Sequence, residues 1–317
     1  MLRRAVLSTG ATLALPLVLR ASPGHGQAPP SSPGPAFQRI PLGTREVFVV
    51  TDGATLRNAA GPGVVANAQP DQVVAALRSA GFPGSEFLNP YNPTVLRTPQ
   101  GLVAFDVGTG GTAGPQTGQF LANMRAAGLD PAQIVAVVLT HLHGDHFGGL
   151  VDANGTPNFP NARVLVAQRE WAFWTDAGEE SRARDLLKPN FANVRRRFAP
   201  YQAKLETFAP GTEILPGVTA QDTPGHSPGH VAFLLSDGGQ QVMISGDAIH
   251  APFFYWANPD WYIAFDTDPA QAVATRKRLL DQLATDRVPV IVYHAGMPGV
   301  GRAERAGSGY RMVPLGA

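Results

Sequence analysis

A chain of 317 residues, 44% hydrophobic and 15% charged, can bury a substantial core as one large or two modest domains. With 25 basic residues against 24 acidic ones it has no strongly basic balance, which argues against a nucleic-acid footprint. Cysteine is absent, which excludes disulfides, thiolate ligands and a cysteine nucleophile together, so any metal must be held by nitrogen and oxygen.

The first residues read as a targeting segment. Arg3 and Arg4 precede an apolar run over residues 5–19 that is interrupted by Gly10 and Pro16 and is too short to span a bilayer comfortably. Paired arginines before a moderately apolar stretch resemble a twin-arginine export signal, a route for proteins already folded. An ordinary secretory signal is the alternative, and without cysteine no lipid can be attached. Residues 22–35 are rich in Pro, Gly and Ser, a linker in which His25 has no expected chemical role. Residues 1–35 are therefore read as signal and linker, and 36–317 as the folded domain, periplasmic or secreted, with no stable membrane anchor after signal removal. Removing Arg3, Arg4 and Arg20 leaves 22 basic residues against 24 acidic ones, a formal charge of −2.

The folded part opens with a short strand over residues 46–50 and the turn signal Thr51-Asp52-Gly53. A helix is expected over 71–80, then a Pro- and Gly-rich loop as far as Asn92. Strands over 94–97 and 102–107 flank Pro99-Gln100-Gly101 and read as a hairpin. The following Gly108-Thr109-Gly110-Gly111 lacks the Lys-Ser/Thr ending of a phosphate-binding loop and the spacing of a dinucleotide fingerprint. Glycine there instead lets the backbone pass close beneath a metal site, with Asp106 orienting a ligand. A helix over 117–127, with Phe120, Leu121 and Met124 on one face, stops at Gly128.

Residues 134–139 form an apolar run that reads as a buried strand, and it ends in Thr140-His141-Leu142-His143-Gly144-Asp145-His146. The chain has eight histidines, so three of them within six positions, with an acid among them, mark a site. On a loop at the sheet edge, His141 and His143 can share one side while Asp145 and His146 turn toward another, giving room for two metals. Imidazole and carboxylate suit zinc, and manganese, cobalt or iron as well. Beyond the cluster, a strand over 163–167 leads into a helical region, 168–203, carrying Trp171, Phe173, Trp174, Phe191, Phe198 and Tyr201. At least half of these rings are expected in the core.

The second half supplies further ligand candidates, each in a rigid setting. Thr223-Pro224-Gly225-His226-Ser227-Pro228-Gly229-His230 is a tight irregular loop built on two Pro-Gly pairs. A strand over 241–245 ends at Gly246-Asp247, and a carboxylate with two acceptor oxygens can bridge two cations. The apolar strand 288–292 delivers Tyr293-His294. A strand followed at once by a ligand thus recurs three times along the chain.

This set resembles the metallo-β-lactamase superfamily over roughly residue 46 to the C-terminus, with His-x-His-x-Asp-His followed by a separate His, Asp and His. The resemblance implies an α/β fold, a four-layer αβ/βα sandwich with a dinuclear site at the sheet edges. It implies that His141, His143 and His226 bind one metal, Asp145, His146 and His294 the other, and Asp247 both. True β-lactamases of the superfamily usually lack an acid at the Asp247 place, and hydroxyacylglutathione hydrolases add a glutathione-binding tail that is not obvious here. Within the superfamily the likeness is to methyl parathion hydrolase and exported quorum-quenching lactonases. It is carried by Phe159-Pro160-Asn161-Ala162, the aromatic helical insert, residues 223–230 and the tail 299–314. One departure is His250, at a place where acyl-homoserine lactonases often carry Tyr. The resemblance also implies a homodimer.

The expected chemistry is attack by a hydroxide bridging two divalent ions, zinc first, held roughly 3.5 to 4 Å apart. Asp145 would orient the nucleophile or protonate the leaving group, and Asp247 would bridge. His250 would either donate to substrate or only pack against Pro252, and His230 would hold its loop rather than bind metal. Trp171, Phe173, Trp174, Phe253 and Phe254, with Tyr255 and Trp256, would form an apolar mouth. A lactonase acting on small uncharged esters is the first expectation and an organophosphate triesterase the second. A non-catalytic periplasmic metal-binding protein is the alternative of another class.

Overall fold

The computed structural model describes residues 34–315; the expected export signal falls outside them. Sixteen strands follow one another along these residues. They are β1 (Phe37–Leu42), β2 (Arg45–Val50), β3 (Gly53–Asn58), β4 (Glu86–Tyr91), β5 (Thr94–Thr98), β6 (Gly101–Phe105), β7 (Ile134–Val138) and β8 (Arg163–Ala167). The remainder are β9 (Leu205–Phe208), β10 (Glu213–Leu215), β11 (Val218–Asp222), β12 (Val231–Asp237), β13 (Gln240–Ile244), β14 (Val290–Ile291), β15 (Val300–Ala306) and β16 (Gly309–Pro314). They form one sheet in the order β1-β2-β5-β6-β7-β8-β9, a second running β10 to β16 in sequence order, and a separate two-stranded arm, β3-β4.

Period-two alternation sends each strand's side chains to two different cores. Val47 and Val49 of β2 join Phe105, Phe233, Leu235 and Ile244 in the apolar layer between the sheets. Phe48 and Val50 of the same strand face the opposite way, onto Phe120, Met124, Phe191 and Phe198. Those four belong to α2 (Phe120–Ala126) and α6 (Lys188–Phe198), which form the outer layer on that side with α4 (Gln168–Thr175) beside them. The far face of the second sheet buries Met243, Val290 and Val292 against Leu279, Leu280 and Leu283 of α7 (Pro269–Asp286). The result is helix, sheet, sheet, helix, the expected four-layer sandwich. Three further helices are α1 (Pro70–Ser79), α3 (Gly144–Phe147) and α5 (Ala177–Arg182).

Several elements differ from the sequence expectation. The strand expected to open the domain is the second of a hairpin, because β1 pairs with β2 from Phe37↔Val50 to Leu42↔Arg45. The loop expected to run to Asn92 contains β4, where Pro90 is tolerated because β4 pairs only with β3. Asp52 is more than a turn residue: its carboxylate accepts from Thr109 N (2.9 Å), Thr109 Oγ1 (2.7 Å), Gly118 N (3.1 Å) and Phe120 N (3.0 Å). It thereby ties the loop after β6 to the start of α2. The tail is the β15-β16 hairpin, which closes the second sheet.

Phe105 and Phe233 meet across the two sheets, ring centroids 5.3 Å apart and both fully buried. Replacing Phe233 by Ala leaves a cavity between the layers and is expected to cost about 3–5 kcal/mol. Denaturant unfolding checks this; a loss below about 1 kcal/mol would show that the layers close over the gap.

Candidate metal centre

Both sheets deliver their ligands to one rim. β6 and β7 run parallel, as do β13 and β14, so the four strand ends lie together. β6 is followed by Asp106, β7 by the stretch leading to His141, β13 by that leading to Asp247, and β14 by that leading to His294. Asp106 has a positive φ of 57°, a region that side-chain-bearing residues enter at a cost. Three hydrogen bonds hold it there. Its Oδ1 accepts from Thr140 N (2.9 Å), and its Oδ2 accepts from Thr140 Oγ1 (2.9 Å) and His146 Nδ1 (2.8 Å). The glycine loop after β6 passes beneath the cluster as expected: a Cβ on Gly110 would lie 2.4 Å from Gly148 O, and Val107 N donates to His146 O at 2.7 Å.

The donor atoms fall into two groups that share Asp247. In the first, His143 Nδ1 lies 3.0 Å from His141 Nε2 and 2.9 Å from His226 Nε2. Tetrahedral zinc with bonds of 2.0–2.1 Å would separate such nitrogens by about 3.3 Å, so the group is near coordination size. The outer nitrogens fix the tautomers. His226 Nδ1 donates to Asp266 Oδ1 at 2.7 Å. Thr140 Oγ1 gives its proton to Asp106 and so accepts from His141 Nδ1 at 3.0 Å. Both Nε2 lone pairs therefore face inward.

In the second group, Asp145 Oδ2 is 3.9 Å from His146 Nε2 and 3.6 Å from His294 Nε2. His146 Nδ1 donates to Asp106, and His294 Nδ1 to Pro90 O at 2.7 Å, which again turns each Nε2 inward. Asp247 stands between the groups: Oδ1 is 3.4 Å from His146 Nε2, and Oδ2 is 3.4 Å from His226 Nε2 and 3.3 Å from His294 Nε2. Of the inward donor atoms, His146 Nε2 and Asp247 Oδ1 are buried without a hydrogen-bond partner. Such atoms are costly unless something satisfies them, and nitrogen and oxygen donors converging at these spacings fit divalent metal.

The electrostatics agree. Burial and then the neighbouring imidazoles hold His141 and His143 well below the usual histidine range, so both present lone pairs. Against burial, which pushes a carboxyl up, His294, His146 and His250 hold Asp247 well below the carboxylate range. Against burial, Asp247, Asp106 and Asp145 hold His146 well above the histidine range. A divalent cation would take over the counter-charge that these groups now provide for one another.

His230 bonds on both sides, Nδ1 to Thr223 Oγ1 (2.8 Å) and Nε2 accepting from Asp247 N (3.0 Å). It joins the His226 loop to the Asp247 loop, and burial with nearby His226 pulls it down to about 3, so it is neutral. Gly246 makes that joint fit, since a Cβ there would lie 2.6 Å from His230 Nε2. His250 stacks on His294 with centroids 4.1 Å apart, its Nδ1 accepts from Ala251 N (2.8 Å), and its Nε2 lies 3.7 Å from Asp247 Oδ2.

Sequence reasoning missed Glu170. This fully buried carboxylate accepts from Leu142 N (2.8 Å) and Trp174 Nε1 (2.7 Å) on one oxygen. The other oxygen accepts from Ser227 Oγ (2.7 Å) and Gly229 N (2.8 Å). It fastens the His141-His143 loop to the His226 loop. Nothing local marks it, because it is one acid in an aromatic helix whose partners are distant in sequence.

The donors open into a cavity of about 240 Å³. Of the residues expected at its mouth, Phe254 and Tyr255 line it. The other five lie elsewhere, Trp256 in the core against α7 with its Nε1 donating to Ile249 O at 2.7 Å. Trp171 packs on Phe198 (5.1 Å) and Phe173 on Phe191 (5.5 Å), because the aromatic face of α4 is turned onto α6. Trp174 is fully buried beneath His143 (5.6 Å) and bonded to Glu170. Phe253 is on the far side of the helical turn Pro252–Trp256, in a separate cavity of about 390 Å³. Phe87, Ile263 and Phe265, absent from the sequence expectation, supply the apolar wall instead.

A family model described as the metallo-beta-lactamase superfamily matches residues 88–294. The N-acyl homoserine lactonase AttM of Azorhizobium caulinodans is 35% identical over 121 residues, 36% of this chain and 41% of its own. The N-acyl homoserine lactonase AiiA of Bacillus thuringiensis subsp. kurstaki is 26% identical over 172 residues, 54% of this chain and 59% of its own. The chain thus spans about half the length of the curated relatives it matches. Among solved structures, AidC, described as a dizinc quorum-quenching lactonase in complex with a product, superposes with a TM-score of 0.81 at 26% identity, over 89% of this chain and 98% of that one. The hydrolase AbOPH, described as in the beta lactamase superfamily, superposes at 0.82 and 27% identity, over 89% and 98%.

Glu170→Gln puts an amide N–H against one of two pairs of donors. We expect zinc affinity to fall about 10- to 100-fold, as for other groups that orient ligands, with Trp174→Phe, which removes one donor of the four, in between. Competition with a chromogenic chelator measures it, and wild-type affinity in Glu170→Gln would remove Glu170 from that role.

Proposed function

This chain belongs to the metallo-beta-lactamase superfamily, and from that premise we propose that it hydrolyses small apolar esters, lactones of the acyl-homoserine type first, at a pair of divalent ions, zinc before others. The observation that carries the reading is the junction of two surfaces. Of the seven donors, His143, Asp145, His226, Asp247 and His294 line a cavity whose remaining wall is largely apolar, with Phe87, Phe254, Ile263 and Phe265 in it. The resemblance to proteins named N-acyl homoserine lactonases and to a dizinc lactonase supports it.

His141, His143 and His226 would hold one ion, Asp145, His146 and His294 the other, and Asp247 both. When bound, the ions supply an activated water and a Lewis acid for the carbonyl oxygen. The chain's own groups do the rest. Asp145 has a side chain 31% exposed and lines the cavity, so its carboxylate reaches the substrate side and can take or return a proton beside the scissile bond. His250 accepts at Nδ1 from the Ala251 amide, so its proton is on Nε2, which lies beside Asp247 at the cavity wall. That N–H is placed to donate to the carbonyl or leaving oxygen. Stacking on His294 keeps the ring in that orientation. The apolar wall accepts an acyl chain and excludes water.

Purified, zinc-loaded protein should hydrolyse an acyl-homoserine lactone in preference to an aryl ester and an aryl phosphotriester, and Asp247→Ala should abolish turnover. Preference for the phosphotriester would move the reading to an organophosphate triesterase. Bound metal without hydrolysis of any of the three would leave a metal-binding protein. His250→Phe keeps a ring on His294 and removes the donor. It is expected to lower kcat about 100-fold with a small change in KM, and an unchanged kcat would leave His250 a packing residue.

A further inference from the structure

The two-stranded arm roofs the cavity with one face, and along that face the polar groups are graded. Alternation puts Thr55 and Arg57 of β3 on the side of Phe87, Asn89 and Tyr91, while Leu56 points away and is 61% exposed. Thr55 pairs with Asn89 and Arg57 with Phe87 in the register. At the metal end, Asn89 Nδ2 lies 3.2 Å from His294 Nδ1, and Tyr91 packs edge-on against His294 at 5.4 Å. The Tyr91 hydroxyl meets Thr55 Oγ1 at 2.9 Å. One alternation further out, about 7 Å along the strand, stands Arg57.

Arg57 is half-buried and lines the cavity, and its guanidinium forms no hydrogen bond or ion pair with any other described residue. Its charge reaches the hydroxyls of Tyr91 and Tyr255, which line the same space. The carboxylates that line the cavity are Asp145 and Asp247, both in the metal donor set. The wall that Arg57 shares is otherwise apolar, with Val64, Phe87, Phe254 and Ile263 in it. A guanidinium drawn partly out of water with no counter-ion is poorly matched to a hydrocarbon chain, whereas its planar fork is the partner of a carboxylate.

We infer that Arg57 anchors a carboxylate of the substrate, so that the preferred ester bears an acid group several bonds from the carbonyl that is attacked. The inference rests on the hydrolase reading but moves its preferred substrate away from the uncharged acyl-homoserine lactones, to an ester with an apolar body and one anionic end. The metals take the ester end and Arg57 the acid end, which fixes the direction in which a substrate lies along the cavity.

The test separates binding from turnover. Glutaric acid monoanilide and butyranilide place a stable amide where the ester would be, the first with a carboxylate and the second without. Calorimetry on the zinc-loaded full chain should show the acid binding at least about 10-fold more tightly than the neutral amide. That preference should fall to about 3-fold or less in Arg57→Gln, recover in part in Arg57→Lys, and weaken with added salt. An equal preference in wild type and Arg57→Gln would assign the carboxylate to the metals and overturn the inference, as would no preference in the wild type. The corresponding 4-nitrophenyl esters then report turnover. Binding preference without hydrolysis of either ester would sustain the role of Arg57 and overturn the hydrolase reading alone.

Discussion

Four of the five imidazoles in the metal donor set have the outer nitrogen tied to an oxygen, and the site depends on that constraint. His141 is tied to Thr140, His146 to Asp106, His226 to Asp266 and His294 to Pro90 O. Each bond leaves an Nε2 lone pair facing inward, which an imidazole free to flip would not guarantee. The partners are themselves fixed elsewhere. Asp106 bonds Thr140 twice, and Asp266 is buried beside Arg276, 3.7 Å away. Orientation at the rim is therefore inherited from groups that never touch a metal.

The same logic explains the buried acids of this chain. Asp52, Asp106 and Glu170 are each almost fully buried, and each accepts at least three hydrogen bonds from backbone or side-chain donors. A carboxylate satisfied in this way rigidifies irregular backbone that no sheet or helix holds. The ligand loops have little regular structure, so the acids do for them what ladder hydrogen bonds do for strands. Burial pushes Glu170 and Asp52 above the usual carboxylate range, and the donors around them push back.

This division also explains which features were legible in the sequence. The convergence of donors was, because metal binding needs several donors at fixed spacing immediately after strands, and His141 to His146 carry that pattern locally. Asp106 was, since it ends a strand beside the glycine loop. Glu170, Asp266 and Arg57 were not: each is a single polar residue whose meaning lies in a partner or a cavity far away in sequence. The mouth was misplaced for a related reason. Helical spacing shows that Trp171 and Trp174 share a face, but not that the face is turned onto α6. β4 was hidden by Pro90, which would argue against a central strand and is harmless in a two-stranded arm.

The arrangement separates holding from choosing. The metal donors come from the ends of strands inside the two large sheets, where the layered core leaves little freedom. The roof over the cavity is the β3-β4 arm, which belongs to neither sheet and reaches the donor set through Asn89 and Tyr91 at His294. A side chain changed at Arg57 or Phe87 changes the cavity wall and touches none of the hydrogen bonds that hold Thr140, Asp106 or Glu170. Groups that far apart, with no common partner, contribute nearly independently. The donor set can therefore stay fixed while the roof changes what the cavity admits, since there the polarity runs from hydrogen-bonded Tyr91 and Thr55 to a cation with no partner among the described residues.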